Sequence, residues 1–340
     1  MPDAPWRPGR LAARLPFLDR RAALVAATRA FFAARGYREV ETPCLVPAPG
    51  AEVHIRAFET RFDPHLGAGA ARPLWLRTSP ELAIKKLLAG GCGPVFEFAR
   101  VWRNGEVSAR HAPEFTMLEW YGPGLGFEGL MEETEAFIRA VCPPVVEHGG
   151  VRTDLALPFE RLTMQDAFAR HCNGLDILGT EGDAARLHAA AAAAGLPPRP
   201  DEGWEDLFFR LLLERVEPAI GRGRATFLTH WPAPQAALAR RDPADPRAAL
   251  RFEVFVAGIE LANAFDELTD PAEQRARFEE ANAERRRITG ARGWEVDEDF
   301  LAALEHGLPP TAGIALGFDR LAMLAAGAPR IEDVLWLPVS

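Results

Sequence analysis

The sequence predicts an α+β fold in which a mixed, mostly antiparallel sheet is flanked by helices. Segments that alternate apolar and polar residues follow one another closely along the chain, as at 93–102 and 114–121. Segments with apolar residues at helical spacing are grouped between these runs of strands. This grouping is typical of α+β architecture, whereas regular alternation of strands and helices would indicate a parallel sheet.

The first half of the chain supplies a helix, an edge strand and a hairpin. Residues 18–35 have helical apolar spacing and are followed by Gly36. Residues 37–46 alternate like a strand, and Pro43 within them suits an edge or an interface because proline cannot donate to a ladder. A strand and a helix capped at Thr78 or Ser79 come next, and then the two strands of a hairpin.

The second half begins and ends with helices. A helix is predicted at 128–142, strands at 224–231 and 251–265, a charged helix at 271–290, and a strand, turn and helix at 311–327. We expect a single catalytic domain over 1–340, with a mainly helical insertion at about 150–230 that contains an alanine tract and a proline-rich joint.

Composition excludes several classes of protein. The chain has 340 residues, of which 48% are hydrophobic, so it can bury a substantial core. It has no apolar run of membrane-spanning length and no secretory signal, which predicts a cytoplasmic protein with no membrane contact. Its net charge of −9 disfavours general nucleic-acid binding. Its 4 cysteines lack the spacing of zinc ligands.

The charged loop between the hairpin strands indicates a site for a nucleoside triphosphate. The sequence has no P-loop, so ATP would have to lie on the antiparallel sheet, with arginines on its phosphates, an aromatic ring on adenine and carboxylates on Mg²⁺. The side chains that suit these roles are Arg103 and His111 for phosphate, Phe115 for stacking, Glu253 and Glu260 for Mg²⁺, and Arg320 at a helix start for phosphate. Each is weak evidence alone, because an isolated charge on a strand is usually solvated.

Longer motifs resemble those of the class II aminoacyl-tRNA synthetases. "GYREVETP" after a long helix, "VWRN" with "RHAPEFTMLEWY", and "GIALGFDRL" resemble motifs 1, 2 and 3 of that class. "TSPEL", "GIELANAFDEL" and "LPPTAGIALGFDRLAML" resemble the lysyl branch. The resemblance runs from about residue 15 to the last residue and implies the class II catalytic fold.

Within that branch the chain most resembles the elongation factor P lysine lysyltransferases. Lysyl-tRNA synthetases carry an N-terminal anticodon-binding domain, whereas here the motif 1 helix begins by residue 18. The resemblance implies that lysine or (R)-β-lysine is activated with ATP as an adenylate and transferred to a lysine ε-amine of elongation factor P. It makes tRNA an unlikely partner. The alternatives are a stand-alone lysyl-tRNA synthetase catalytic domain and a catalytically silent regulatory paralog.

The resemblance also implies a role for each site residue. For ATP it implies Arg103, Asn104, Glu106, His111, Phe115, Glu253, Glu260 and Arg320, with Mg²⁺ on Glu253 and Glu260 and catalysis by Arg103 and Arg320. For the amino acid it implies Ser79, Glu81, Glu119, Tyr121, Asn263, Glu267 and Ala315. Glu81 would receive one ammonium, while Glu119, Tyr121 and Glu267 would receive the distal one. A buried dication needs such anionic partners.

The chain departs from the lysyl-tRNA synthetase pattern at three positions. Ala315 replaces a glycine beside the amino-acid pocket, as in the transferases, which points away from ordinary α-lysine. Gly105 stands where a glutamate is usual, with Glu106 one position later, and Ala112 replaces an asparagine. By resemblance the motif 1 helix and Pro43 imply a homodimer, although the helix is equally consistent with a core position.

Overall fold

The computed structural model describes residues 4–50, 52–64, 71–236, 238–290 and 293–339. The chain forms two compact units. The split unit consists of Met1–Gly126 and Leu268–Ser340, and the continuous unit consists of Phe127–Glu267.

The split unit contains helices and strands from both ends of the chain. Its helices are α1 (Pro8–Ala33), α2 (Glu81–Ala89), α7 (Pro271–Thr289), α8 (Glu298–Gly307) and α9 (Phe318–Ala326). Its strands are β1 (Arg38–Glu39), β2 (Leu45–Val46), β3 (Glu59–Phe62), β4 (Arg72–Leu76), β5 (Val95–Trp102), β6 (Glu114–Pro123) and β13 (Thr311–Gly317).

Four strands of the split unit lie in the order β1-β5-β6-β13. The β1–β5 pair is parallel, and the β5–β6 and β6–β13 pairs are antiparallel. Phe32 of α1 is fully buried and stacks on Phe96 of β5 with ring centroids 4.9 Å apart, which packs α1 against this sheet. A second, small sheet has the order β2-β4-β3.

The continuous unit is built around a second four-stranded run. Its helices are α3 (Gly126–Val141, which begins at the last residue of the split unit), α4 (Met164–His171), α5 (Ala184–Ala193) and α6 (Trp204–Leu211). Its strands are β7 (Val145–His148), β8 (Val151–Asp154), β9 (Glu160–Thr163), β10 (Thr226–Pro232), β11 (Ala248–Val256) and β12 (Ile259–Asp266). The strand order is β12-β11-β10-β9, with only the β9–β10 pair parallel within this run.

The predicted α+β class is therefore confirmed. Within residues 150–230, strands β8, β9 and β10 lie at the two ends and the helices lie between them. The helical part packs on a buried apolar cluster in which Phe208 stacks on both Phe168 and Trp204. That this segment is an insertion stays a prediction.

Two predicted elements differ from the structure at their boundaries. Helix α1 begins at Pro8, ten residues before the predicted start, since proline at the first helical position needs no hydrogen-bond acceptor. The predicted strand at 37–46 is instead two short strands, β1 and β2. Pro43, which has no N–H to donate, lies in the break between them.

In the part of the chain that the structure describes, every helix is too short or too polar to cross a membrane.

Candidate active site

The hairpin of β5 and β6 presents the residues predicted to meet ATP. The strands pair up to Trp102 and Glu114, and Arg103 continues the ladder by donating its backbone N–H to Pro113 at 3.0 Å. The Arg103 guanidinium lies 5.3 Å from the centre of the Phe115 ring. Its Nε is buried and has no hydrogen-bond partner among the described residues. Arg103 therefore has a donor available for an anionic ligand beside an aromatic surface.

The loop of the hairpin contacts the start of helix α9. Nη2 of Arg320 donates to Nε2 of His111 at 2.5 Å, and Nδ1 of His111 is 2.7 Å from the Ser108 hydroxyl. Because guanidinium only donates, Nε2 accepts and the neutral imidazole carries its proton on Nδ1. Arg320 lies in the first turn of α9, where the helix dipole also favours an anion. The structure thus brings Arg320 and the hairpin loop together.

A buried ion pair fixes this contact, and the sequence reasoning missed it. Arg21 of α1 forms an ion pair with Asp319, and both residues are buried. Arg21 also donates to the Thr116 hydroxyl at 3.0 Å, while the Thr116 backbone N–H donates to Asp319 at 2.9 Å. Asp319, the residue immediately before Arg320, therefore links α1, β6 and α9. Its position beside Arg320 in "GFDRL" was the available signal.

Two departures from the synthetase pattern, Gly105 and Ala112, lie in the hairpin loop between β5 and β6. Gly105 has φ +89°, a conformation that glycine adopts without strain and a glutamate would not. Asn104 is exposed and donates its backbone N–H to Arg56 at 2.7 Å, and Glu106 is half-buried. Glycine at 105 therefore suits the backbone of this turn. That Glu106 binds ATP stays a prediction.

The residues of the split unit that were predicted to bind the amino acid lie together on the next part of the sheet, in an acidic cluster that we call the pocket. Glu119 of β6 lies directly opposite Glu97 of β5 on one side and Ala315 of β13 on the other. Glu119 is fully buried and accepts hydrogen bonds from Ser79 at 2.6 Å and from the Tyr121 hydroxyl at 2.7 Å. The register therefore places the methyl group of Ala315 beside this carboxylate.

The pocket is closed by the start of helix α2. The N-cap of α2 is Pro80 and not Thr78 or Ser79 as predicted, but the Ser79 hydroxyl still accepts from the backbone N–H of Glu81 at 3.0 Å. Glu81 forms an ion pair with Lys85 one turn later, at 2.5 Å. Glu97 forms an ion pair with Arg77 at 2.8 Å. Both basic partners are buried, and neither was among the predicted site residues.

Glu119 is electrostatically unusual. Burial, followed by the nearby charge of Glu81, raises its pKa to about 8, although the hydrogen bonds from Ser79 and Tyr121 oppose the shift. Among the described residues, it forms no ion pair with a basic side chain. A cationic group brought into the pocket would therefore stabilise the ionised carboxylate.

The remaining predicted residues lie in the continuous unit. A register shift between Val254 and Phe255 in the β11–β12 hairpin sets Glu260 opposite Phe255 and Asn263 opposite Glu253. Burial and then the charge of Glu260 raise the pKa of Glu253 to about 8. The two carboxylates are therefore close enough to repel each other.

Arg251 organises this group and was not predicted. It donates to Asn263 at 3.0 Å and forms an ion pair with Glu253 at 2.8 Å. Its guanidinium lies 3.9 Å from the Trp231 ring centre. Glu267 is buried and forms an isolated antiparallel β-bridge with Ala239 just after the end of β12. The predicted site residues thus form two groups, one in each unit.

The carboxylate pair suits a magnesium ion that also binds substrate. Within the described ranges no cluster of three or more histidine, cysteine or acidic side chains could hold a metal by itself. Mg²⁺ is commonly held by one or two carboxylates together with phosphate oxygens, and two mutually repelling carboxylates gain from a cation between them. Glu253 and Glu260 fit that requirement.

Comparison with known proteins supports one family. The family model of class II tRNA synthetases (D, K and N) matches residues 12–340. The elongation factor P–(R)-β-lysine ligase of Klebsiella pneumoniae (strain 342) is 45% identical over 336 residues, which are 98% of this chain and 97% of the relative. The protein of the same name from Salmonella paratyphi B is 44% identical with the same coverage.

Proposed function

Because the chain belongs to the class II tRNA synthetase family (D, K and N), we propose that it is an ATP-dependent ligase that modifies elongation factor P. It activates lysine or (R)-β-lysine as an acyl-adenylate and transfers the acyl group to a lysine ε-amine of that factor. The names and full-length similarity of the relatives support this proposal. The observation that carries it is the buried Glu119 carboxylate, which is held by two hydroxyl donors and is suited to bind an ammonium group.

In the activation step the substrate carboxylate attacks the α-phosphorus of ATP and pyrophosphate leaves. Arg103, whose buried Nε has no partner among the described residues, would bind the α-phosphate and the carboxylate. Arg320 and His111 would bind phosphate oxygens, and Phe115 would stack on adenine. Positioning and charge neutralisation account for catalysis here, so the protein needs no nucleophile of its own.

A magnesium ion bound to Glu253 and Glu260 would neutralise phosphate charge. Arg251 already pairs with Glu253, which orients that carboxylate and leaves its second oxygen for the metal. Asn263, held by Arg251, and Glu267 complete the predicted amino-acid contacts in this unit.

In the transfer step the neutral ε-amine of the acceptor lysine attacks the carbonyl carbon of the adenylate. The carbon–nitrogen bond forms, AMP leaves, and the amine loses one proton. Net charge −9 favours the approach of a basic acceptor loop. We also propose a homodimer that uses α1 and the segment around Pro43, which sedimentation would test.

An acceptor assay tests the proposal. The enzyme is incubated with ATP, labelled (R)-β-lysine or lysine, and elongation factor P and tRNA in separate reactions. Label on elongation factor P supports the proposed function. Label on tRNA alone would instead make the chain a stand-alone tRNA ligase, and a lack of pyrophosphate exchange with every lysine isomer would indicate a regulatory paralog.

A further inference from the structure

Four carboxylates of the split unit surround the start of helix α2, and only two of them have a basic partner. Glu81 pairs with Lys85 at 2.5 Å and Glu97 pairs with Arg77 at 2.8 Å. The other two, Glu119 and Glu52, form no ion pair among the residues that the structure describes. The pocket thus holds two carboxylates that form no direct ion pair with a described basic side chain, although the charge of Glu52 acts on the nearby Arg285 guanidinium.

The backbone places the Glu52 carboxylate at this pocket. A Cβ atom built on Gly50 would lie 3.0 Å from Oε2 of Glu52 and 3.5 Å from the Thr78 hydroxyl. Gly50 has φ +144°, a conformation that favours glycine. Any larger residue at this position would also place its Cβ against the Glu52 carboxylate. The Glu52 carboxylate therefore folds back toward Thr78, the residue immediately before Ser79.

The main chain of Glu52 is anchored independently of its carboxylate. Nη2 of Arg285 donates to the Glu52 carbonyl oxygen at 2.6 Å, and Nη1 donates to Asn282 at 3.1 Å. The Arg285 guanidinium stacks on Trp294 at 3.4 Å from the ring centre. Arg285 is thus occupied with the carbonyl, an amide and a ring. A change of the Glu52 carboxylate to an amide would leave these three contacts in place and would remove only the negative charge that Glu52 sets near Arg285.

We propose that Glu52 is a specificity-determining residue that binds the ammonium group nearer the carboxyl carbon of a diamino acid, while Glu119 binds the distal ammonium group. This inference rests on the proposed function and assigns a role that Glu81 alone was expected to fill. A diamino acid carries two ammonium groups, and the pocket holds two carboxylates that form no direct ion pair among the described residues. Since Lys85 already neutralises Glu81, Glu52 supplies the additional charge that the nearer ammonium needs.

The Glu52→Gln variant tests the assignment with three carboxylic acids in ATP–pyrophosphate exchange. (R)-β-lysine carries both amines, 6-aminohexanoic acid lacks the nearer one, and 3-aminohexanoic acid lacks the distal one. We expect the variant to raise KM by about tenfold or more for the two acids that have the nearer amine, as for loss of a charge-assisted hydrogen bond. For 6-aminohexanoic acid, and for ATP, KM is expected to stay within about twofold.

The Glu59→Gln variant is the matched control, because Glu59 is an exposed glutamate of β3 in the same unit and its change removes the same charge. It should leave all KM values unchanged. An equal KM increase for all three acids in Glu52→Gln, or no increase for any, would overturn the assignment.

Failure of the proposed function gives a different result. If the wild-type enzyme supports no exchange, calorimetric titration with (R)-β-lysine still compares wild type and Glu52→Gln. Weaker binding to the variant than to wild type and Glu59→Gln supports the role of Glu52, and equal binding refutes it.

Discussion

Replacement of Glu119 by glutamine should change how stability depends on pH. Burial raises the pKa of Glu119 from 4.5 to about 8, so the folded chain holds this proton more tightly than the unfolded chain. The folded state is therefore penalised as Glu119 ionises. The penalty is absent well below the unfolded pKa, grows as pH rises, and is complete above the folded pKa. Glutamine has no charge at any pH and avoids it.

The size of this difference in unfolding free energy follows from the pKa shift of Glu119. Each pKa unit corresponds to about 1.4 kcal/mol. Between about pH 5.5 and pH 8.5 the free energy of unfolding should therefore fall by about 3 kcal/mol more in the wild type than in Glu119→Gln. Other groups titrate in the same range, including Glu253, whose pKa is also raised to about 8. They are common to both proteins, so the difference between the two proteins isolates Glu119.

Urea unfolding of the substrate-free proteins at a series of pH values measures this difference. The Glu119→Gln curve should lie above the wild-type curve by an amount that increases with pH, while Glu59→Gln should run parallel to wild type. Parallel curves for wild type and Glu119→Gln would refute the reasoning, because they would mean that Glu119 is ionised in the folded state at no cost. The same variant should also raise KM for (R)-β-lysine by about a hundredfold or more, since it removes the anionic partner of a buried ammonium.

Three further variants probe the other parts of the site. Arg103→Ala should abolish amino-acid-dependent ATP–pyrophosphate exchange while leaving the urea midpoint nearly unchanged; near-normal exchange would remove Arg103 from its proposed role. Asp319→Asn leaves the buried Arg21 without its counter-ion, so it should lower the free energy of unfolding by about 3–5 kcal/mol in denaturant titrations; a change within experimental error would argue against a structural ion pair. Glu253→Gln should raise the Mg²⁺ concentration needed for half-maximal exchange by at least about tenfold, and an unchanged Mg²⁺ dependence would exclude Glu253 as a ligand.

The sequence predicted elements best where local pattern and turn chemistry agree. The β5–β6 hairpin, the β11–β12 hairpin and helix α7 lie where their alternation, glycine turns and helical spacing placed them. Boundaries set by proline were less predictable. Pro8 starts α1 and Pro16 lies within it, whereas proline at 43 breaks a predicted strand. The same residue type thus begins, continues or interrupts an element depending on which backbone N–H groups need partners.

The parts of the site that sequence reasoning missed are long-range pairs. Arg21 and Asp319 are 298 residues apart, so no local spacing connects them. Lys85 is only four residues from Glu81, but its pairing mattered only once burial of both side chains was known. Charge balance within a pocket depends on which partners the fold brings close. The role proposed for Glu52 could therefore be inferred only from the structure.

Intact-mass spectrometry of elongation factor P tests the central claim most directly. The factor is incubated with wild-type enzyme, ATP and (R)-β-lysine, and with Arg103→Ala in a parallel reaction. The account predicts a gain of one lysyl group, located on a lysine side chain, with wild type only. An unchanged mass with active wild-type enzyme, as judged by pyrophosphate exchange, would contradict it.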